Sequence, residues 1–236
     1  MNWSILYFSI LVIGAAQGSI LGLSLLFQST QNRQAMRFLA ALLLLFAYRL
    51  LAEALIVTGT LTIDKWTYHV FLEYHWAYGA LLFLFVKSYV QSDFRFTSGD
   101  AAHFFPVAIQ FLFSNFVKAQ NFFWDGSRES LNWFGYHSYI LWEHTPFQLL
   151  VMSGLLLYYV HHSRRVLAEV PPHHLKQANS LRWMHHILWA YFVFSIMVIL
   201  VTLADYLFFD YAFNPAYIVP LYISMAVITY WLGLQG

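Results

Sequence analysis

The chain has 236 residues, of which 60% are hydrophobic and 10% charged, against roughly 45–50% and about 25% in an ordinary soluble domain. Twelve basic and 11 acidic side chains, for a net charge of +1, are too few to solvate a protein of 27.6 kDa with a mean hydropathy of +0.58, so a water-soluble globule is excluded. The same numbers leave no basic field for holding nucleic acid, and the absence of cysteine removes disulfides, thiolate catalysis and Cys-based metal sites.

An α-helix crosses the hydrocarbon core in about 20 apolar residues, because lipid offers no partner to free backbone N–H and C=O groups. Seven spans fit in chain order: Ile5–Phe27, Phe38–Thr58, Trp66–Val90, Phe104–Gln120, Tyr139–Val160, His186–Phe208 and Pro215–Leu234. The expected fold is therefore an all-α polytopic membrane bundle of seven transmembrane helices forming a single domain. The first stretch lacks a basic n-region and runs on to Phe27, so it reads as a membrane helix rather than a cleaved signal. The fourth is short and carries Asn115, which keeps a re-entrant or tilted segment as a competing reading.

The loops set the orientation. Segments after the first, third and fifth spans carry Arg33, Arg37, Lys87, Arg95, Arg164, Arg165, Lys176 and Arg182, against Lys65, Lys118 and Arg128 on the opposite face. Positive charge stays inside, which puts the N-terminus outside, the C-terminus in the cytoplasm and the protein in a cell membrane as a multi-pass chain. The stretch 161–185, with Pro171-Pro172 and His173-His174, reads as a cytoplasmic linker. The outer loop Asn121–Ser138 interleaves Phe122, Phe123, Trp124, Trp133, Phe134 and Tyr136 with charged residues, and such rings prefer the headgroup level. It serves either as an interfacial anchor or as a lid.

Gly14, Gly18 and Gly22 make a small-xxx-small stripe on the first span. Removing side chains lets helix backbones approach in lipid, so the stripe serves either a close crossing within the bundle or homodimerisation. Ionisable residues within spans cost a few kcal/mol each unless they face a partner or cavity. Six stand out: Arg49, Glu53, Glu73, Glu143, His144 and Asp205. Arg49 and Glu53 share a helix face, as do His69 and Glu73 on the third span, with His75 turned away. Glu53, Glu73, Glu143 and Asp205 fall roughly 6–10 Å below the outer boundary at 1.5 Å per residue. Four carboxylates against Arg49 require protonation, pairing with histidine or a bound cation. Separate structural hydrogen bonds, an outward-facing ligand cavity and a metal or proton-coupled site all fit these residues, with His69, Glu73, Glu143 and His144 as metal candidates. No His-x-x-x-His or Glu-x-x-His occurs among them, nor a Gly-x-Ser-x-Gly elbow. The seventh span has no lysine and so cannot hold retinal as a Schiff base.

Several stretches together resemble the seven-helix N-terminal membrane region of bacterial transmembrane regulators with an AraC-type helix-turn-helix. Gly14-Ala-Ala-Gln17-Gly18 is similar to that family's first helix and Asn32-Arg33-Gln-Ala-Met-Arg37 to its first inner loop. Tyr78-Gly79-Ala-Leu-Leu-Phe-Leu-Phe-Val-Lys87-Ser88 resembles its Gly-Pro-Leu-Leu-Tyr-Leu-Tyr-Val-Arg-Ser pattern, with Ala80 for the proline and Lys87 for the arginine. His103-Phe-Phe-Pro106 is similar to its His-x-x-Pro, and Leu181-Arg182-Trp183-Met184 to its Trp-Leu-Arg. The resemblance implies a sensory input domain in the bacterial inner membrane, a small-molecule or ion ligand from the outer side, and dimerisation. It also implies a cytoplasmic DNA-binding domain beyond residue 236, because no helix-turn-helix lies within the chain and Trp231 to Gly236 reads as a junction. The family supplies no ligand residues to transfer. An integral-membrane enzyme or transporter using the outer carboxylates is the alternative.

Overall fold

The computed structural model describes residues 3–28, 32–59, 72–91, 93–169, 178–209 and 215–235. These residues are organised as helices: α1 (Trp3–Phe27), α2 (Arg33–Val57), α3 (Ala77–Val90), α4 (Phe105–Phe123), α5 (Trp133–Glu143), α6 (Phe147–Ala168), α7 (Ala178–Phe209) and α8 (Pro215–Gln235). Short turns at Ser98–Ala101, Ala102–Phe104 and Arg128–Ser130 join them. The molecule is an all-α bundle. Among the described residues, three helices are long and apolar enough to cross a membrane, over Ile5–Phe27, Arg33–Val57 and Leu181–Phe209. α5 and α6 pass the same test only when taken together, as a broken span or a re-entrant loop bent by 60° at the break between them. The apolar helices Ala77–Val90 and Val219–Leu232 are shorter.

Six helices close a ring in the order α1, α2, α3, α6, α7, α8, with α8 back against α1 and also touching α2. The core lies along α2. Phe46 packs its ring on Tyr78 of α3 at 4.6 Å and faces Tyr191 of α7 at 5.8 Å, edge and tilted geometries that suit aromatic quadrupoles. Leu42, Leu43, Leu50, Leu82, Leu156 and Ile187 fill the rest of this layer. The outward surface is also apolar, with Ile20, Leu112 and Leu200 each about two thirds exposed, as suits a protein whose solvent is lipid.

The glycine stripe is used inside this ring. A Cβ on Gly14 would lie 2.9 Å from Ala226 Cβ, and one on Gly18 would lie 2.8 Å from Thr229 Cγ2 and 3.1 Å from Ala47 Cβ. On Gly22 it would meet Leu44 Cγ at 2.6 Å. Of the two readings of the stripe, internal crossing is what these contacts describe: α1 wedges against α2 and α8. Gly79 does the same for α3 against Leu155 and Tyr159 of α6.

Two spans differ from expectation. In the third, the described helix starts at Ala77, Leu72–Tyr74 are not helical, and His75-Trp76 form a turn; residues 60–71, with Lys65 and His69, lie outside the described residues. The helical phase assumed for Glu73 and His75 therefore does not apply. The fifth span is interrupted at 144–146, because the Pro146 ring has no N–H to donate and disfavours helix in Thr145, so α6 starts afresh at Phe147. The expected outer loop is correspondingly shorter. α4 runs to Phe123 and α5 starts at Trp133, where the Asn132 side chain accepts from the Gly135 N–H at 2.7 Å as an N-cap. On the other side, α6 and α7 extend into the expected linker, whose Pro171-Pro172 and His173-His174 lie outside the described residues.

Candidate functional site

The far half of α2 carries Arg49 and Glu53 one turn apart, which brings the guanidinium within 3.8 Å of Glu53 Oε2. Arg49 also donates a hydrogen bond to the Tyr222 hydroxyl on α8 and lies over the Tyr222 ring at 5.2 Å. Tyr222 completes the group because α8 packs beside α2. The Tyr7 hydroxyl, on α1, is close enough for the charges of Glu53 and Arg49 to act on it. It is buried with no hydrogen-bond partner. The Tyr74 hydroxyl is in the same state and also senses Arg49.

A second group builds on the non-helical stretch before α3. Glu73 receives the Trp142 indole N–H at 3.1 Å and pairs with Lys118 of α4 at 3.5 Å. Gln110 of α4 accepts the Trp76 backbone N–H at 3.0 Å through Oε1, which turns its amide N–H toward the His75 ring at 2.9 Å from Nε2. Trp76 in turn donates its indole N–H to the Gln148 carbonyl at 3.0 Å, and Gln148 donates to the Trp142 carbonyl at 3.1 Å. Tyr48 of α2 joins the two groups, since its hydroxyl accepts the Leu72 N–H at 3.1 Å and its ring lies 5.2 Å from that of Tyr74.

Together these side chains form one polar layer in which Arg49 and Lys118 balance Glu53 and Glu73. The four expected carboxylates therefore stand against two cations rather than one, the second being Lys118, counted above among the loop residues. Lys118 is 6% exposed. Its helix is amphipathic in reverse: Gln110, Ser114, Val117 and Lys118 are buried, while Ile109, Phe111, Leu112 and Phe116 face outward. The i, i+4, i+7, i+8 spacing of those four positions is the signal that could have identified Lys118 as an inward residue.

Of the six expected site residues, Arg49, Glu53 and Glu73 belong to this layer. Glu143 ends α5 and His144 follows it at the α5–α6 break, where the exposed His144 ring shares a hydrogen bond with the Tyr139 hydroxyl at 2.8 Å. Asp205 is buried on α7. Among the described residues there is no group of three or more His, Asp or Glu side chains placed to hold a metal ion. The metal candidates Glu73, Glu143 and His144 are thus not gathered there, and His69 lies outside the described residues. The layer does contain buried acceptors and donors without partners, Ser114 Oγ and Gln148 Oε1 besides the two tyrosine hydroxyls. Buried polar groups are nearly always satisfied by protein, water or ligand, so these four atoms are open to a further hydrogen-bonding partner.

Outside this layer the aromatic loop packs on its own neighbours. Trp124 sets its ring edge-on against Tyr139 at 4.8 Å, Gln120 donates to the Gly135 carbonyl at 3.0 Å, and Trp133 and Phe134 are exposed. Hydrogen bonds from Ser130 and Ser127 hold the Asp125 carboxyl below its usual range. At the other end of the bundle, Lys87 of α3 reaches Asp100 Oδ1 at 2.6 Å, and the Thr97 N–H donates to Asp100 Oδ2 at 3.0 Å. Burial alone would raise the Asp100 carboxyl, but the hydrogen bonds from Lys87 and Thr97 outweigh it and keep the group low. This capping box clamps the connection between α3 and α4. No protein-family model, curated protein or solved structure matches the chain.

Proposed function

We propose that this chain is the membrane-embedded input module of a one-component transcriptional regulator in the bacterial inner membrane, coupling a small hydrogen-bonding ligand or ion to a cytoplasmic helix-turn-helix domain. The observation that carries the reading is the bond from Arg49 on α2 to Tyr222 on α8, next to hydroxyls that lack partners. A guest that satisfies those hydroxyls competes for Arg49 or reinforces its hold on Tyr222, and either outcome shifts α8 relative to α2. Pro220, two residues before Tyr222 within α8, removes one backbone hydrogen bond and provides a point of flexure. Helix packings have discrete alternatives, so such a shift is transmitted as a change of state.

In this reading the helices supply seven crossings, with α5 and α6 counted as one broken span, the N-terminus outside and the C-terminus in the cytoplasm. The polar layer then lies in the outer half of the bilayer. Reading paired DNA half-sites requires two copies, and with the glycines engaged inside the ring the pairing surface lies elsewhere on the bundle.

The test compares transcript profiles of the native host with the full-length gene intact, deleted, or carrying Tyr222→Phe. Deletion is expected to change a defined set of transcripts, and Tyr222→Phe to shift the same set without altering protein level. If deletion changes no transcript, or purified protein in proteoliposomes moves solute at a steady rate, the regulatory reading fails in favour of transport or catalysis.

A further inference from the structure

His103 stands at the base of α4, in the turn Ala102–Phe104 that leads into Phe105, and the motif it opens, His103-Phe-Phe-Pro106, is not used by the polar layer. Pro106 lies in the first turn of α4, where its missing N–H costs no hydrogen bond, so the helix starts directly after the histidine. α4 is not one of the six ring helices. At this end it is held to them through His103, whose ring packs edge-on against Phe83 of α3 at 5.0 Å and Tyr159 of α6 at 5.4 Å. The hydroxyl of the buried Tyr159 lies 3.1 Å from His103 Nδ1 and donates to the His103 carbonyl at 3.3 Å. A hydroxyl has one hydrogen to give. Both bonds form together only when that hydrogen goes to the carbonyl and Nδ1 carries the ring proton, which leaves Nε2 to take up a second proton.

A second proton is disfavoured in this position. The ring is half-buried between two aromatic side chains, and it precedes the N-terminus of α4, where the helix dipole opposes a cation. Burial has the largest effect, Asp100 opposes it, and Lys87 of α3 and His162 of α6 add to it, so the imidazole is held below its usual value. A ring freed into water titrates near the ordinary value of about 6.5. The packed position is therefore fully favoured above about pH 6.5 and loses its advantage as the pH falls toward the depressed value. Asp100 is itself held low, so it stays ionised through this window and keeps its bond to Lys87.

We propose that His103 is a proton-released latch on α4. Protonation at Nε2 frees the base of α4 from Tyr159 of α6, while Asp100 holds the pivot on α3. Gln110, Ser114 and Lys118 are carried on α4, so the release reaches the polar layer further along the same helix. The latch operates whether or not the chain serves a regulator.

The 236 residues include no cysteine, so spin labels can be placed at Ala108→Cys on α4 and Ala168→Cys on α6, both exposed positions, in the full chain in lipid nanodiscs. Pulsed double electron resonance then reads the distance between the two helices. Lowering the pH from about 8 to about 5, the range in which histidine titrates, is expected to lengthen the mean distance by about 2 Å, the scale of helix shifts in switching transitions. The midpoint should lie below about pH 6.5. His103→Gln keeps an N–H donor but takes up no proton, and should hold the high-pH distance throughout. His162→Gln should retain the lengthening with a raised midpoint, because one repelling cation is gone. A distance between the labels that does not change with pH when both histidines are present would overturn the proposal, which keeps the test decisive if neither histidine variant folds. So would a lengthening that survives in His103→Gln, or one that disappears in His162→Gln, which would assign the switch to α6.

Discussion

Replacing Lys118 with methionine leaves Glu73 half-buried against the Trp142 indole without its cation. At 3.5 Å the pair is worth about 5 kcal/mol at an effective dielectric of 20. Water reaches Glu73, whose side chain is 22% exposed, which brings the expected loss to about 3 kcal/mol, the lower end of the range for a buried pair broken on one side. The double variant Lys118→Met with Glu73→Gln removes both charges, retains an acceptor for the Trp142 N–H, and is expected to recover at least half of that loss. Reversible unfolding of the purified chain in mixed micelles, followed by circular dichroism for the wild type, both single variants and the double, closes the thermodynamic cycle. A coupling energy below about 0.5 kcal/mol would refute the reasoning, because Glu73 and Lys118 would then be independent groups and the charge balance of the polar layer would be an accident of placement.

Two further predictions concern the ends of the bundle. Because the Asp100 carboxyl is held low in the folded state, its contribution to stability is fully present above about pH 4, the usual carboxylate value, and is lost as the pH falls through the depressed folded value. Asp100→Asn should remove that slope and cost about 1–2 kcal/mol, less than the 3–5 of a fully buried pair, since the Lys87 side chain is 27% exposed; melting curves between pH 3 and 7 are the measurement, and a parallel slope in the variant would count against the clamp. Gly18→Leu drives a side chain into Thr229 and Ala47 and should lower the melting temperature, at a cost of at least the 1–3 kcal/mol typical of overpacking. Light scattering should then find the oligomeric mass unchanged, whereas loss of a dimer with no loss of stability would place the stripe at an intermolecular contact.

Long apolar runs were legible in the sequence because length and composition alone determine them. α1, α2 and α7 contain the stretches expected, and the Arg49–Glu53 pair follows from helix periodicity over four residues. Legibility failed where backbone hydrogen bonding departs from the helix. Pro146 marked the break after Glu143 in plain sight, yet the apolar run on both sides masked it. At Glu73 and His75 the hydropathy that signals burial says nothing about whether the buried stretch is helical. Both residues turn toward α4, Glu73 to Lys118 and His75 to Gln110, so the assumed phase set apart two side chains that the structure turns to the same helix. Lys118 was missed for a different reason. A basic residue near a span end ordinarily snorkels to water, and only the four-residue spacing from Gln110 and Ser114 shows that this one points inward. Tyr222 and Tyr7 carry no charge, so a search for ionisable groups passed over the partners that organise the layer.

Ring closure by α8 has a consequence for how the protein is made. Arg49 emerges from the ribosome 173 residues ahead of Tyr222, its partner, which at 5–20 residues per second is a wait of roughly 10–35 s. Throughout that interval α2 must reside in or beside the bilayer with a guanidinium in its far half. Glu53 is only one turn away and is synthesised within the same second, so the charge enters as an internally neutralised pair and α1 can settle against α2 through its glycines before any other helix exists. The α1–α2 hairpin is thus a self-sufficient insertion unit with an open seam, and α8 is the element that seals the seam on both sides at once. A chain halted before α8 would hold a hairpin whose far-half charges are already paired, but whose Gly14 and Gly18 still lack Ala226 and Thr229 on one side.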